Sequence, residues 1–362
     1  MLHFDSNATF YLLFYVLYAV LVLISLRKGE NKNFLSMDQT NIMKGIFIVL
    51  IVVHHFTIRL SDPGLLKPFG LVGYLGVAGF FLFSGYGMMS SNLRKENYLK
   101  NYLISKLFRV YFPIVLAFFI IGVIGNLLNY HENNFVDLIK KTFLLINPIN
   151  GSLNWFVTAT LIFYLNFYVS FKLFSTKKAI ISSFVLNGCY VVVGLYLGLG
   201  LWWINTAFAY PLGILLAYKK DFVISALKKY YWFLLLLAGA LFSISFVAQE
   251  VINMNRTIQL LLMTISVVAF SMLILTAMYK INFKTKTFAF LGMISYELFL
   301  IHSSFFELVF DGFKIENSLF MIPVLMLIIA IAYVLYNADS FVFRMIKKKQ
   351  GNKQTNTFKK AS

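Results

Sequence analysis

Apolar runs close to the length of one bilayer crossing recur along the whole chain. They lie near residues 8–26, 42–60, 70–90, 110–129, 153–174, 179–198, 201–218, 230–249, 257–279, 288–308 and 318–342. A helix needs about 20 predominantly apolar residues to cross the hydrocarbon core of a membrane. In that medium only helices and closed barrels satisfy their backbone hydrogen bonds. A barrel strand would show about 10 residues of alternating polarity, whereas these runs are continuous. The pattern predicts an all-α polytopic membrane protein with about eleven transmembrane helices. Composition agrees: 60% of the 362 residues are hydrophobic, 13% are charged and the mean hydropathy is +0.78. A soluble domain would carry about 25% charged residues.

The first run lacks a basic leader and is followed by "RKGENKNF" rather than a small-residue cleavage site. It is therefore expected to be a retained anchor helix, not a cleaved signal. This divides the chain into an anchor helix and loop (1–35), a membrane domain (36–343) and a basic tail (344–362). The tail is polar enough to be expected disordered.

The net charge of +18 would suit nucleic acid if it formed one patch. Its distribution points elsewhere. Twenty-six of the 32 Lys and Arg residues fall in alternate loops and the tail; Arg59, Lys67, Lys140, Lys141, Arg256 and Lys314 are the other six. The positive-inside rule makes the first set cytoplasmic. The N-terminus is then outside and the C-terminus inside. The basic charge is accounted for by orientation and by attraction to anionic lipid, so no nucleic-acid partner is expected. The single cysteine, Cys189, has no internal disulfide partner. No Cys/His spacing matches a structural zinc site, and no metal is expected.

Ionisable side chains inside a membrane are costly and point to function. The second run, "KGIFIVLIVVHHF" (44–56), carries Lys44, His54 and His55. At about 100° per residue, His55 falls within about 20° of Lys44, three turns and about 16 Å further along the axis. His54 falls about 80° to the other side. His55 is thus the candidate bundle-facing base, and His54 either a helper or a satisfied packing residue. The tenth run, "FLGMISYELFLIHSSFF" (290–306), carries Glu297 and His302. Ser295 and His302 share a face, with Glu297 about 140° away. Counted outward from Lys286 along one helix, His302 is expected in the outer half of the membrane. The basic stretch "RKENYLKNYLISKLFRVYFP" (94–113) mixes cations with aromatics in a way that suits a phosphate-bearing ligand.

Five ordered blocks resemble the acyltransferase-3 family of membrane O-acyltransferases. These are Lys44 and His55 in "KGIFIVLIVVHHF", "GFFLFSGYG" around Ser84, "SKLFRVYFP" with Lys106 and Arg109, "NWFVTATLIFYL" from Trp155, and "ISYELFLIH" with Glu297 and His302. The resemblance covers roughly residues 36–342, a ten-helix core preceded by the anchor helix. It implies transfer of an acyl group, usually acetyl, from cytoplasmic acyl-CoA to a hydroxyl of an extracytoplasmic glycan. His55 maps onto the family's catalytic histidine. Lys44, Lys106 and Arg109 map onto donor-binding positions; the family commonly has Arg where this chain has Lys44 and Lys106. Lysine offers a point charge in place of a planar fork of donors. Glu297 and His302 are placed in the catalytic machinery, in structural roles first and orienting or charge-stabilising roles otherwise; Trp155 and Ser84 are assigned to substrate binding, with Trp155 lining the acceptor entrance or anchoring the membrane interface.

With no appended esterase-like domain, the implied acceptor is a capsule, exopolysaccharide or other surface glycan. The implied setting is the cytoplasmic membrane of a bacterium, with membrane lipid and polysaccharide-assembly proteins as partners. A proton-coupled transporter or flippase is the competing reading of many helices with sparse intramembrane charge.

Overall fold

The computed structural model describes residues 16, 26–28, 31, 33–60, 62–130, 133–251, 254–311 and 320–360. The expected anchor span at 8–26 lies outside the described residues except at its points 16 and 26. Strand β1 is Leu26–Lys28, followed by α1 (Met37–Thr57), a 3-10 segment (Gly64–Leu71) and α2 (Gly73–Arg94). Then come α3 (Tyr102–Leu127), α4 (Phe135–Phe143), α5 (Trp155–Leu173), α6 (Thr176–Tyr196), the short α7 (Leu201–Ile204) and α8 (Ala209–Tyr218). The last group is α9 (Lys220–Val251), α10 (Arg256–Lys280), β2 (Ile281–Phe283), α11 (Lys286–Met293), α12 (Ser295–Phe306), a π segment (Glu307–Asp311) and α13 (Met321–Lys360).

Among the described residues, nine helical stretches are long and apolar enough to cross a membrane, or ten if the bent pair α11–α12 counts as one span. Together with that pair they coincide with the ten apolar runs from residue 42 onward. The protein is all-α apart from the short antiparallel β1–β2 ladder. Helix α13 continues beyond its apolar part through residues 344–360, the basic segment whose composition suggested a disordered tail.

The chain divides into two compact units. One takes residues up to Leu103 together with Thr158–Ser295; the other takes Ile104–Val157 and the chain from Tyr296 onward.

In the first unit, glycines set the helix crossings. At the α1/α11 crossing a Cβ on Gly45 would stand 2.0 Å from the Phe288 carbonyl oxygen, and one on Gly292 would stand 1.9 Å from that of Asn41. At the α2/α8 crossing the reciprocal pair is Gly85, 2.1 Å from the Tyr210 oxygen, and Gly213, 1.9 Å from the Leu82 oxygen. No other residue fits at these four points. Lipid supplies little hydrophobic drive for helix association, so such backbone-to-backbone contact is a main source of cohesion. At the basic end of α1, Ser36 caps the helix by accepting from the Gln39 N–H. The Gln39 amide then turns to β2. Its Nε2 donates to the Phe283 carbonyl (2.7 Å) and Asn282 Oδ1 (3.1 Å), while its Oε1 accepts from the Phe283 N–H and Asn31 Nδ2 (both 3.1 Å). All four of its hydrogen-bonding positions are used, which explains a buried glutamine.

In the second unit, the segment between α3 and α5 does not project freely. Helix α4, capped by Asn134, runs back along α3. Leu138 lies against Gly122, and the Phe143 carbonyl accepts from the Tyr111 hydroxyl (2.6 Å). The following turn is tied to the far end of α12: Asn147 Nδ2 donates to Ser304 Oγ (2.9 Å) and Asn150 Nδ2 to Glu307 Oε2 (3.0 Å). Asparagines thus satisfy the polar groups of a turn that packs on apolar helices.

Candidate active site

Lys44 and His55 both lie on α1, each half-buried. The helix is continuous from Met37 to Thr57, so the three-turn relation read from the sequence holds. The two histidines have different surroundings. His54 is turned toward the junction of the 3-10 segment and α2. Its Nδ1 is 3.3 Å from the Phe69 carbonyl, and its ring covers Gly73, where a Cβ would stand 2.3 Å from the imidazole. His54 therefore packs on the start of α2, with one ring nitrogen held near a backbone carbonyl. His55 lies about 100° further round the helix, with its ring edge-on to that of His54 at 5.0 Å. The Arg59 guanidinium folds back to donate to the His55 carbonyl (2.9 Å). This answers one of the acceptors that a helix C-terminus leaves open.

Ser84, half-buried on α2, is hydrogen-bonded to the Tyr164 hydroxyl of α5 (3.1 Å). One turn further, the hydroxyls of Tyr102 and Tyr210 both donate to Met88 Sδ (2.8 and 2.9 Å). Tyr164 and Tyr210 have ring centroids 6.3 Å apart. Sequence spacing did not point to this tyrosine group. Its members come from three helices far apart in the chain.

The remaining candidates belong to the second unit. Lys106 and Arg109 are three residues apart on α3, the first half-buried and the second exposed. The Arg109 guanidinium lies 4.2 Å from the centroid of the Phe343 ring on α13, within cation–π range. A guanidinium held flat on a ring keeps its edge N–H groups for another acceptor. Trp155 begins α5 and is half-buried, and the adjacent Phe156 packs on Phe299 of α12 at 4.1 Å.

The tenth apolar run departs from the expected straight helix. It breaks at Ile294, with α11 and α12 bent by 76°, and the Ser295 hydroxyl bonds back to the Gly292 carbonyl (2.9 Å). The angular relations among Ser295, Glu297 and His302 survive, because all three follow the break.

His302 is 1% exposed. Its Nδ1 lies 3.0 Å from the Leu298 carbonyl, and Phe299 and Phe306 flank the ring. Glu297 is buried, and its Oε2 has no hydrogen-bond partner among the described residues. Both carboxylate oxygens of Asp339 on α13 are in the same condition, and the two acids interact electrostatically. Asp339 was missed in the sequence, although "YVLYNADSF" sets an acid in the last apolar run. It escaped notice because it stands near the run's basic end. Among the described residues no three His, Cys, Asp or Glu side chains converge in a way that would hold a metal.

The first unit thus carries a half-buried imidazole on α1. The second carries two cations on α3 and, separately, the interacting acids Glu297 and Asp339. No curated protein and no solved structure matches the chain. The family model described as the acyltransferase domain, of the acyltransferase-3 type, matches residues 37–337. That span opens at the first residue of α1 and takes in every candidate residue except Asp339. With the nine or ten stretches able to cross a membrane it leads to one conclusion: the chain belongs to the acyltransferase-3 family and is a multi-pass membrane acyltransferase.

Proposed function

We propose that the protein is an O-acyltransferase that moves an acyl group, acetyl in the first instance, from cytoplasmic acyl-CoA to a hydroxyl of an extracytoplasmic surface glycan. The observation that carries this reading is the family match, which begins on the helix bearing Lys44 and His55. The charge asymmetry supports an orientation with the basic loops and C-terminus inside. On that orientation Lys106 and Arg109 lie at the cytoplasmic side, where the donor's phosphates would meet them. Lys44 marks the same side on α1, and His55 stands about 16 Å further along the helix. The cytoplasmic membrane of a bacterium is the setting we infer, with capsule or exopolysaccharide as the acceptor.

In the proposed reaction the His55 imidazole takes the acceptor hydroxyl proton as the oxygen attacks the thioester carbon. The C–S bond then breaks, and the imidazolium proton goes to the departing thiolate. A relay through an acyl-histidine would use the same residue as nucleophile. Ser84 and Trp155 are assigned to the acceptor, and Glu297 and His302 to charge placement. The separate environment of His54, tied to Phe69 and Gly73, favours His55 as the base.

The test is the O-acyl content of the host's surface polysaccharide by proton NMR in a deletion strain restored with wild type, His55→Ala or His54→Ala at matched membrane abundance. Acyl signals should vanish on deletion and return with wild type and His54→Ala, but not with His55→Ala. Unchanged acylation on deletion would sink the glycan reading, and solute transport would then be assayed.

A further inference from the structure

Helix α9 is broken at Tyr230 (φ −120°, ψ 27°). Before the break lies "KDFVISALKK" (220–229), and after it "YYWF". The segment is amphipathic. Phe222, Val223, Ala226 and Leu227 line a cavity, while Lys220, Lys228 and Lys229 are exposed. Its aromatic end is also characteristic of a membrane boundary, where tyrosine and tryptophan collect. The Lys229 ammonium lies 4.9 Å from the Tyr230 ring centroid, Lys280 lies 5.4 Å from that of Tyr231, and Trp232 is exposed. The first part of α9 is thus built to lie at headgroup level.

The cavity beneath it has a volume of about 580 Å³, within the range of small-molecule sites. Helices α2, α8, α9 and α10 of the first unit line it, through side chains such as Leu82, Leu216, Phe222, Leu234 and Leu275. Only two of the lining residues carry a nitrogen or oxygen in the side chain, Lys219 and Ser271. The Ser271 hydroxyl is already committed to the Val267 carbonyl (2.8 Å). Lys219 is therefore the one polar side chain offered to an occupant. A molecule that fits must be hydrocarbon through most of its length and anionic at one end.

We propose that this cavity is a binding site for an anionic phospholipid, with an acyl chain under the first turns of α9 and the phosphate at Lys219 and Lys220. A chain segment fills a space that side chains leave open, gaining contacts the lining otherwise lacks. Hydrocarbon contact does not distinguish one membrane lipid from another. The lysines select the headgroup. Asp221 is the one acid in the segment, so the rim is net positive.

The experiment uses the full chain, purified in mild detergent and stripped of lipid. Phosphatidylglycerol and phosphatidylcholine of the same acyl chains are titrated by native mass spectrometry, with thermal unfolding in parallel. Phosphatidylglycerol should bind at least about tenfold more tightly. In Lys219→Gln and Lys220→Gln that preference should fall about fivefold per lysine lost. Ala226→Trp, which fills the cavity, should weaken both lipids, and the lysine variants guard against a folding failure of that substitution. Equal affinity for the two lipids would overturn the proposal. So would phosphatidylglycerol binding that survives both kinds of variant. One-for-one displacement by palmitoyl-CoA with stronger binding of that thioester would also overturn it and make the cavity a donor-chain pocket.

Discussion

Replacing Gly292 by alanine tests whether close backbone approach holds the helix that carries Lys44 and His55. The added Cβ would stand 1.9 Å from the Asn41 carbonyl oxygen, where ordinary contact begins at 3.4 Å. The obstacle is backbone, so no side-chain rotation relieves it, and α1 and α11 must part by about 1.5 Å. Separation also stretches the bond from Asn41 Nδ2 to the Ala289 carbonyl, now 2.9 Å. Overpacking of a tight core costs about 1–3 kcal/mol, and a strained hydrogen bond adds about 1 kcal/mol. A loss of about 2–4 kcal/mol is therefore expected. The control is Gly87→Ala on α2, where a Cβ would meet nothing within 4 Å. There, helix propensity should leave stability equal or higher by about 0.5–1 kcal/mol. Thermal unfolding of detergent-purified protein, followed by fluorescence-detected size exclusion, measures both. If Gly292→Ala unfolds at the wild-type temperature, the α1/α11 crossing is not held as described and the placement of Lys44 loses its support.

Two further outcomes follow from the site. His54→Ala should lower stability by about 1–2 kcal/mol through loss of the contacts to Phe69 and Gly73, yet retain surface O-acylation. Thermal unfolding and the polysaccharide NMR assay measure these separately, and loss of acylation in a stable, abundant His54→Ala protein would refute the packing role. Asp339→Asn removes a carboxylate with no hydrogen-bond partner among the described residues, so unfolding should shift by less than about 1 kcal/mol. A loss of 3–5 kcal/mol, the cost of breaking a buried ion pair, would reveal a cation at that acid.

Much of the architecture was legible because the bilayer imposes one length and one polarity on every crossing. Nine of the ten runs from residue 42 onward reappear as stretches able to cross a membrane, and the run at 288–308 as a bent helix pair. The separation of His54 from His55 was also legible in part, since neighbouring residues on a helix diverge by about 100°. The bend at Ile294 was not. "FLGMISYELF" is apolar throughout, and hydropathy is blind to direction once a run is long enough. Asp339 was passed over near a run's basic end, and its neighbour Glu297 lies on a different helix, 42 positions earlier. The ties of the turn at Asn147 and Asn150 were not legible either, because asparagine is a loop former whose partner, Ser304, lies 157 positions away.

The sequence by itself determined the solvent of this protein, its ladder of apolar helices and the face of α1 that holds Lys44 and His55. Each of these is a local property, set by the polarity and spacing of residues within one helix. Only the tertiary structure decided that glycines meet backbone oxygens at two crossings, that His54 is sealed against Gly73 and that two acids from α12 and α13 interact. It alone also opened a hydrocarbon-lined cavity beneath the lysines of α9. Those outcomes depend on distances between segments remote in the chain, and hydrophobic periodicity encodes which face of a helix is apolar but not which helix will cover it.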